Sequence, residues 1–185
     1  MMNHIDLSSV LRQTLACDLY SNLVTRNTGS AVRQAIERVL STSEERALTV
    51  IDFSQVSMIE FSCADEIVAK LLMRYASDDP PCDAYFLFRG VTDDHRDAID
   101  TVLERHGLAL ALERDDGVEV VGVLSDVERK AWNASYRLGR VNVDDVASEM
   151  DAEPEDARRT LEALCRRRLL MRIDDEYVTV GTARG

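Results

Sequence analysis

The chain has 185 residues, 45% hydrophobic and 30% charged, a composition typical of globular proteins. Its 8 glycines and 3 prolines exclude a collagen-like or linker-like chain. No apolar run approaches the roughly 18 residues of a membrane helix. The first residues contain neither the basic region nor the apolar region of an export signal, so none is indicated. The formal net charge of −12 disfavours nucleic acid and anionic membranes as partners. We therefore expect a cytoplasmic protein that does not contact membranes.

Cysteine and histidine spacing predicts neither a metal site nor a disulfide framework. The four cysteines are far apart and form no C-x-x-C pair, and the three histidines form no H-x-x-x-H pair. Neither G-x-x-x-x-G-K-[ST] nor G-x-G-x-x-G occurs, so no nucleotide-binding loop is indicated. We predict reduced thiols, no metal and no cofactor.

Charge divides the chain into two parts. Residues 1–124 contain 11 basic and 21 acidic side chains, whereas residues 125–185 contain 11 and 13. This asymmetry indicates modules with different partners. We predict a first domain over 1–124, a connecting helix over 125–138 and a second domain over 139–185.

The first part alternates predicted strands with predicted helices. Ser30 and Ser62 are expected to cap the first two helices, and the third is expected from Asp93 to His106, before a left-handed Gly107. The inward positions of the first helix are predicted to be Val32, Ala35, Ile36, Val39 and Leu40. Strands separated by helices favour parallel pairing and an α/β fold. The predicted strands are 15–24 (weakly signalled), 48–53 (central), 84–88, 108–112 and 118–123.

The second part is predicted to hold three helices and a hairpin. Ser125 and Glu128 form a capping box, Asn142 caps a short helix, and Pro154 begins a helix that ends near residue 168. Strands at 169–173 and 177–180 flank an acidic turn. The inward positions of the connecting helix are predicted to be Val127, Ala131, Ala134 and Leu138, with Trp132 and Tyr136 beside them, able to pack on the first domain.

Two short sequences, Val50-Ile51-Asp52-Phe53-Ser54 and Ile59-Glu60-Phe61-Ser62, resemble the signature of STAS domains, the fold of bacterial anti-sigma factor antagonists. The resemblance covers roughly residues 15–124, and Ser62-Cys63-Ala64-Asp65-Glu66 is closer still to a STAS-like group of unknown function. It implies an α/β STAS-like fold and a partner of the histidine-kinase ATPase type.

In that family the kinase phosphorylates the first serine of a Ser-Ser pair, and this chain has Phe61 there. Ser62 matches the second serine. Our preferred interpretation is that Ser62 caps a helix, and the alternative is that it is a phosphorylation site. We therefore predict no stoichiometric phosphorylation over 54–66. The candidate residues for partner binding or phosphorylation are Ser62, Asp52, Glu60 and Asp65.

Residues 138–180 resemble a winged helix-turn-helix, with a recognition helix from Pro154 and a wing after it. The resemblance implies DNA or protein docking. Acidic residues at the recognition-helix start, Glu155 and Asp156, and at the wing tip weaken DNA binding. The candidate DNA contacts are Arg158, Arg159, Arg166, Arg167 and Arg172.

The leading hypothesis is a non-enzymatic, bacterial-type regulatory adaptor that binds a partner protein through its STAS-like domain. The alternative is a winged-helix transcription regulator with a STAS-like sensing domain. A carboxylate-based enzyme built on Asp52, Glu60, Asp65 and Glu66 is a third reading, because active sites of α/β sheets lie at the carboxyl ends of strands. A homodimer is compatible with each.

Overall fold

The computed structural model describes residues 22–42 and 46–181, and the backbone of residues 2–6. Over these residues strands and helices alternate, so the predicted α/β fold is confirmed. The strands are β1 (Met2–Asp6), β2 (Asn22–Leu23), β3 (Ala47–Asp52), β4 (Met58–Ile59), β5 (Ala84–Arg89), β6 (Ala109–Arg114), β7 (Gly117–Gly122), β8 (Arg140–Val141), β9 (Leu170–Ile173) and β10 (Glu176–Thr179). The helices are α1 (Arg26–Ser41), α2 (Phe61–Ala64, a π-helical segment Asp65–Lys70, and Leu71–Tyr75), α3 (Asp93–His106), α4 (Asp126–Leu138), α5 (Val143–Met150) and α6 (Pro154–Arg166).

The main sheet has the strand order β1-β3-β5-β6-β7. β1, β3, β5 and β6 are parallel, and β7 pairs antiparallel with β6 through a short turn. β3 therefore lies inside the sheet, as predicted for residues 48–53. The predicted strand over 15–24 falls mostly outside the described residues. Its last part is β2, which pairs in parallel with β4 beside the main sheet.

Alternate residues of β3 and β5 face opposite sides of the sheet. Ile51, Phe86 and Phe88 pack in one core with the buried faces of α1, α2 and α3. Leu48, Val50, Tyr85 and Leu87 point the other way. Both strands are buried along almost their whole length, which explains their continuous apolar sequences.

The second face of the sheet is covered by the C-terminal part of the chain. Met171 and Val180 pack on Leu87 and its neighbours. Ala109 and Val120 pack in a further core with buried side chains from α4, α5, α6 and the hairpin. The predicted boundaries at residues 124 and 138 stay a prediction. In the structure, α4 shares one core with the helices that follow it.

Helices α4, α5 and α6 pack against a three-stranded sheet of order β8-β10-β9. The predicted capping box at Ser125 and the predicted cap at Asn142 are confirmed, and Pro154 occupies the first turn of α6. The predicted inward stripe of α4 is partly wrong, since Val127 and Leu138 are exposed. α4 turns its Trp132 side into the core instead, where an aromatic ring buries more apolar surface than valine or leucine.

Helix α1 begins earlier than predicted. Its N-cap is Thr25, whose hydroxyl accepts a hydrogen bond from the Thr28 amide at 3.2 Å. Ser30 therefore lies within the helix and is not its cap. The predicted inward positions are buried except Val39, which is exposed. Gly29 packs so closely on Cys63 of α2 that a Cβ atom would lie 2.9 Å from the Cys63 Cα.

Strand β7 forms one edge of the main sheet, and α4 covers its outward backbone groups. The Tyr136 hydroxyl accepts a hydrogen bond from the Val118 amide at 2.9 Å, and Arg129 donates to the Val120 carbonyl at 3.3 Å. Tyr136 therefore packs on β7, which lies within residues 1–124, where the sequence led us to expect it. These contacts block further strand pairing at this edge.

Candidate functional site

The four residues predicted for partner binding or phosphorylation lie between the end of β3 and the first turns of α2. Asp52 is the last residue of β3 and lies at the carboxyl edge of the sheet. The following loop returns through β4, and Glu60, Ser62 and Asp65 follow it. The sequence therefore brings all four to one end of the molecule, but each has a different environment.

Asp52 is engaged in a local turn. Its carboxylate accepts hydrogen bonds from the Ser54 amide at 2.8 Å, from the Ser54 hydroxyl at 2.5 Å and from Arg89 at 2.8 Å. Gly90 follows Arg89 with a φ of +67°, and a Cβ atom there would lie 2.4 Å from the Ser54 hydroxyl. Asp52 therefore fixes the exit of β3 and ties it to β5.

The prediction that Ser62 caps α2 is wrong. The N-cap of the helix is Glu60, and Ser62 lies within its first turn. The Ser62 hydroxyl instead donates to the Val24 carbonyl at 3.1 Å, while the Glu60 amide donates to the Leu23 carbonyl at 2.8 Å. The helix begins earlier than predicted. The segment that follows β4 continues beside β2, so Glu60 and Ser62 donate to the carbonyls of Leu23 and Val24.

Asp65 and Glu66 are buried and belong to an ionic cluster between α1, α2 and the end of α3. One Arg26 nitrogen lies 2.9 Å from both carboxylates. His106 contacts Asp65 at 2.8 Å, and Arg33 and Lys70 contact Glu66. Three helices are thus joined through two adjacent carboxylates.

Asp65 and Glu66 are the first two residues of the π-helical segment Asp65–Lys70, and both contact Arg26. π-Helical turns recur at functional sites.

The cluster holds both carboxylates in the charged form. Burial raises the pKa of Asp65, but hydrogen bonds from Arg26 and His106 outweigh it and hold that pKa below its usual value. Burial likewise raises the pKa of Glu66, and Lys70 and Arg26 outweigh it. A carboxylate with a lowered pKa is a weak general base and is not protonated at neutral pH, so this pair suits ion pairing better than acid–base chemistry.

Beside the cluster lies an exposed surface on the two short parallel strands. Val24 and Met58 are large apolar side chains with 42% and 41% of their surface exposed. Asn22 pairs with Met58 and Leu23 with Ile59, so Val24 follows β2 at the level of the exposed Glu60. We call Val24, Met58 and Glu60 the carboxyl-edge patch. It combines apolar area with negative charge.

The five arginines predicted to contact DNA do not form one surface. Arg158, Arg159 and Arg166 are exposed on α6. Arg158 and Arg159 reach back to Glu155 at 3.9 and 3.7 Å. Acidic side chains of the first turn therefore neutralise part of the exposed charge of α6.

The other two predicted arginines form contacts within the fold. Arg172 lies on β9, donates to the Asp174 carbonyl at 3.1 Å and pairs with Asp175. Arg167 contacts Glu128 at 2.9 Å and donates to the Gly107 carbonyl at 3.2 Å and to the Val123 carbonyl. Arg167 thus joins the end of α6 to the first part of the chain.

Sequence reasoning missed a second junction at the opposite end of the sheet. Asp83 accepts from Arg46 at 2.6 Å and from Arg168 at 2.8 Å, and both guanidinium groups lie over the Tyr85 ring. Arg168 has a positive φ of 63°, and its guanidinium also donates to the Tyr75 carbonyl at 2.7 Å. No local spacing could indicate this junction, because Arg46 and Arg168 lie 37 and 85 residues from Asp83 in the chain.

The chain matches no protein-family model, and no curated protein is significantly similar to it. Within residues 22–42 and 46–181, no group of three or more His, Cys, Asp or Glu side chains is placed to hold a metal ion. None of the helices in these ranges has both the length and the apolarity to cross a bilayer.

Proposed function

We propose that this protein is a non-enzymatic regulatory adaptor that binds a partner protein through the carboxyl-edge patch. One observation carries the proposal. The carboxylates beside the patch are committed to internal ion pairs, whereas Val24 and Met58 stay exposed together on paired strands. An exposed apolar surface bordered by a charged group is the kind of surface that a protein partner buries.

The architecture supports the same proposal. A parallel sheet, a loop after β3 and a helix that begins beside it are the features expected of a STAS-like domain. Three helices followed by a hairpin over 126–179 are those expected of a winged helix-turn-helix. We therefore assign these two folds, which meet on the second face of the main sheet, as part of the proposal.

The partner we propose is an ATPase of the histidine-kinase type, as the resemblance to anti-sigma factor antagonists implies. Residues 1–124 carry ten more acidic than basic side chains, so the partner is expected to present a basic surface with apolar groups at its centre. Opposite charge would speed their association, and high salt would slow it.

A transcription regulator is the second candidate, favoured by the exposure of Arg158, Arg159 and Arg166 on one helix. Because Glu155 and Asp156 lie beside them, duplex affinity is expected to be non-specific, roughly 10⁻⁴–10⁻⁶ M at physiological salt. Fluorescence anisotropy with fragmented host DNA measures it. Retention of one sequence at nanomolar protein, lost when all three arginines become alanine, would make this the leading function.

Site-specific photocrosslinking in the native host tests the adaptor proposal. A photoreactive residue replaces Ser57, exposed next to Met58, and in the control it replaces Ser77, exposed beyond the end of α2. We expect position 57 to crosslink an ATPase of the proposed type and position 77 not to do so. Crosslinks from position 77 alone, or only to DNA or a second copy of the chain, would contradict the proposal.

A further inference from the structure

The end of α3 lies beside the first turns of α2, next to the carboxyl-edge patch. The Arg105 guanidinium lies over the Phe61 ring, 5.4 Å from the ring centroid, and His106 contacts Asp65 at 2.8 Å. Phe61 is partly buried and directly follows Glu60, a member of the patch. Arg105 therefore places a positive charge at the margin of the patch.

Arg105 and Glu60 are both exposed charged side chains. In the part of the chain that the structure describes, neither side chain forms a hydrogen bond or an ion pair. Most of the described arginines, by contrast, donate to a carboxylate or to a backbone carbonyl, as Arg33, Arg89 and Arg129 do. Two groups of opposite charge at the patch are therefore open to a partner.

The Phe61 ring restricts the Arg105 side chain without occupying its hydrogen-bond donors. A guanidinium is attracted to the face of an aromatic ring, and its five N–H groups form a planar fork. That fork matches the two oxygens of a carboxylate. Because the side chain is already held by the ring, less conformational entropy is lost when a partner's carboxylate binds it. Arg105 is thus prepared to bind an acidic group.

The helix position of Arg105 does not by itself account for the ring contact. Arg105 lies in the last turn of α3, where the helix dipole favours a positive charge, and Arg166 lies in the last turn of α6. Arg166 is also exposed, and among the described residues it has no ion pair, hydrogen bond or aromatic ring as a partner. The two arginines differ in the contact with Phe61 and in the place beside the patch, so Arg166 is a matched control.

A partner surface that is basic throughout would not suit the margin of the patch. Residues 1–124 carry ten more acidic than basic side chains, which favours a basic partner surface in general. Such a surface would bury Arg105 against like charge, and a buried charge without a counter-ion is costly. A carboxylate opposite Arg105, with a basic side chain opposite Glu60, removes this cost.

We propose that Arg105 determines partner specificity: the partner presents an aspartate or glutamate side chain opposite Arg105, beside the basic group that Glu60 attracts. This inference rests on the proposed docking role of the patch. Its consequence is that a uniformly basic protein binds the patch more weakly than a partner that carries both charges in this order.

Isothermal titration with the protein crosslinked from position 57 measures the contribution of Arg105. Arg105→Gln keeps a long polar side chain without the charge and should weaken binding at least about fivefold. Arg166→Gln should bind as the wild type does. Both variants should unfold at the wild-type urea concentration, because neither arginine has an ion pair to lose among the described residues.

Carbodiimide crosslinking identifies the group that Arg105 contacts, because this reagent joins an amine directly to a carboxylate beside it. Arg105→Lys supplies the amine, and Arg166→Lys is the control. We expect peptide mass spectrometry to locate a bond between position 105 and one acidic residue of the protein crosslinked from position 57, and none from position 166. The absence of such a bond from position 105, or equal crosslinking from both positions, would overturn the proposal.

The two proposals fail separately. If Met58→Asp weakens binding and Arg105→Gln does not, docking at the patch stands and the role of Arg105 is refuted. If Arg105→Gln weakens binding and Met58→Asp does not, the partner binds at Arg105 and only the docking role of the patch fails. If neither variant changes the affinity, both proposals are refuted.

Discussion

Replacing Glu66 with glutamine removes the charge from a carboxylate that three cations surround. Glu66 exposes 2% of its surface and lies 2.9 Å from Arg26 and 3.3 Å from Arg33, and it also contacts Lys70. Breaking a buried ion pair costs about 3–5 kcal/mol when the remaining charge stays buried. Here the Arg26 and Lys70 side chains are 50% and 40% exposed, so water replaces part of the lost interaction.

Arg33 also keeps a partner in Glu37, at 3.0 Å. We therefore expect Glu66→Gln to lower the free energy of unfolding by about 2–3 kcal/mol at pH 7. For a chain of this size the melting temperature should fall by about 4–12 °C. Urea denaturation followed by circular dichroism measures the free-energy change directly.

The matched control is Glu155→Gln, which removes a charge from an exposed ion pair on α6. Its cost should stay below about 0.5 kcal/mol, because solvent-exposed pairs contribute little. If Glu66→Gln costs no more than Glu155→Gln, the ionic cluster does not hold the three helices together and the reasoning is refuted.

The same comparison has a pH dependence whose sign follows from the lowered pKa of Glu66. A carboxyl group with a lower pKa in the folded state contributes stability above its unfolded pKa, about 4.3, and loses it as the pH falls through the folded value. The wild type and Glu66→Gln should therefore converge in stability as the pH falls below about 4.3.

Three further predictions concern other parts of the molecule. Tyr136→Phe leaves the Val118 amide of the edge strand without its acceptor and should cost about 1–2 kcal/mol in urea denaturation, with greater self-association in light scattering. Leu87→Ala should lower the free energy of unfolding by about 2–5 kcal/mol. Because both halves of the chain pack on the sheet, the unfolding transition seen by Trp132 fluorescence, the one tryptophan, should shift by the same amount as the transition seen by circular dichroism. Separate transitions would contradict this. Intact mass spectrometry of protein from its native host should show no stoichiometric phosphate, and a phosphate on Ser62 would restore a kinase-controlled switch.

Local signals in the sequence predicted the elements whose ends are set by local chemistry. Gly107 ends α3 with a φ of +62°, as its position indicated. The predicted capping box of α4 and the predicted Asn142 cap of α5 were correct because each depends on residues three apart. The caps predicted at Ser62 and Ser30 were wrong for the converse reason. The Ser62 hydroxyl donates to the Val24 carbonyl of a distant segment, and Thr25 takes the cap position five residues before Ser30.

What covers the second face of the sheet could not be predicted from local pattern. The apolar run over 48–53 indicated a central strand, but Met171 and Val180 lie more than 80 residues further along the chain. The cluster around Glu66 was equally hidden, because Arg26 approaches from another helix. The capping box of α3 was missed because His95 replaces the glutamate or glutamine expected in such a box.

The affinity of the crosslinked partner for patch variants tests the central claim most directly. Met58→Asp places a charge in the carboxyl-edge patch, and Met73→Asp places one on α2, where the methionine is similarly exposed at 39%. Isothermal titration at pH 7.5 should show at least about tenfold weaker binding for Met58→Asp, since an unpaired charge would be buried at the interface, and wild-type affinity for Met73→Asp. Equal affinity for Met58→Asp and wild type, or equal weakening by both substitutions, would contradict docking at this surface.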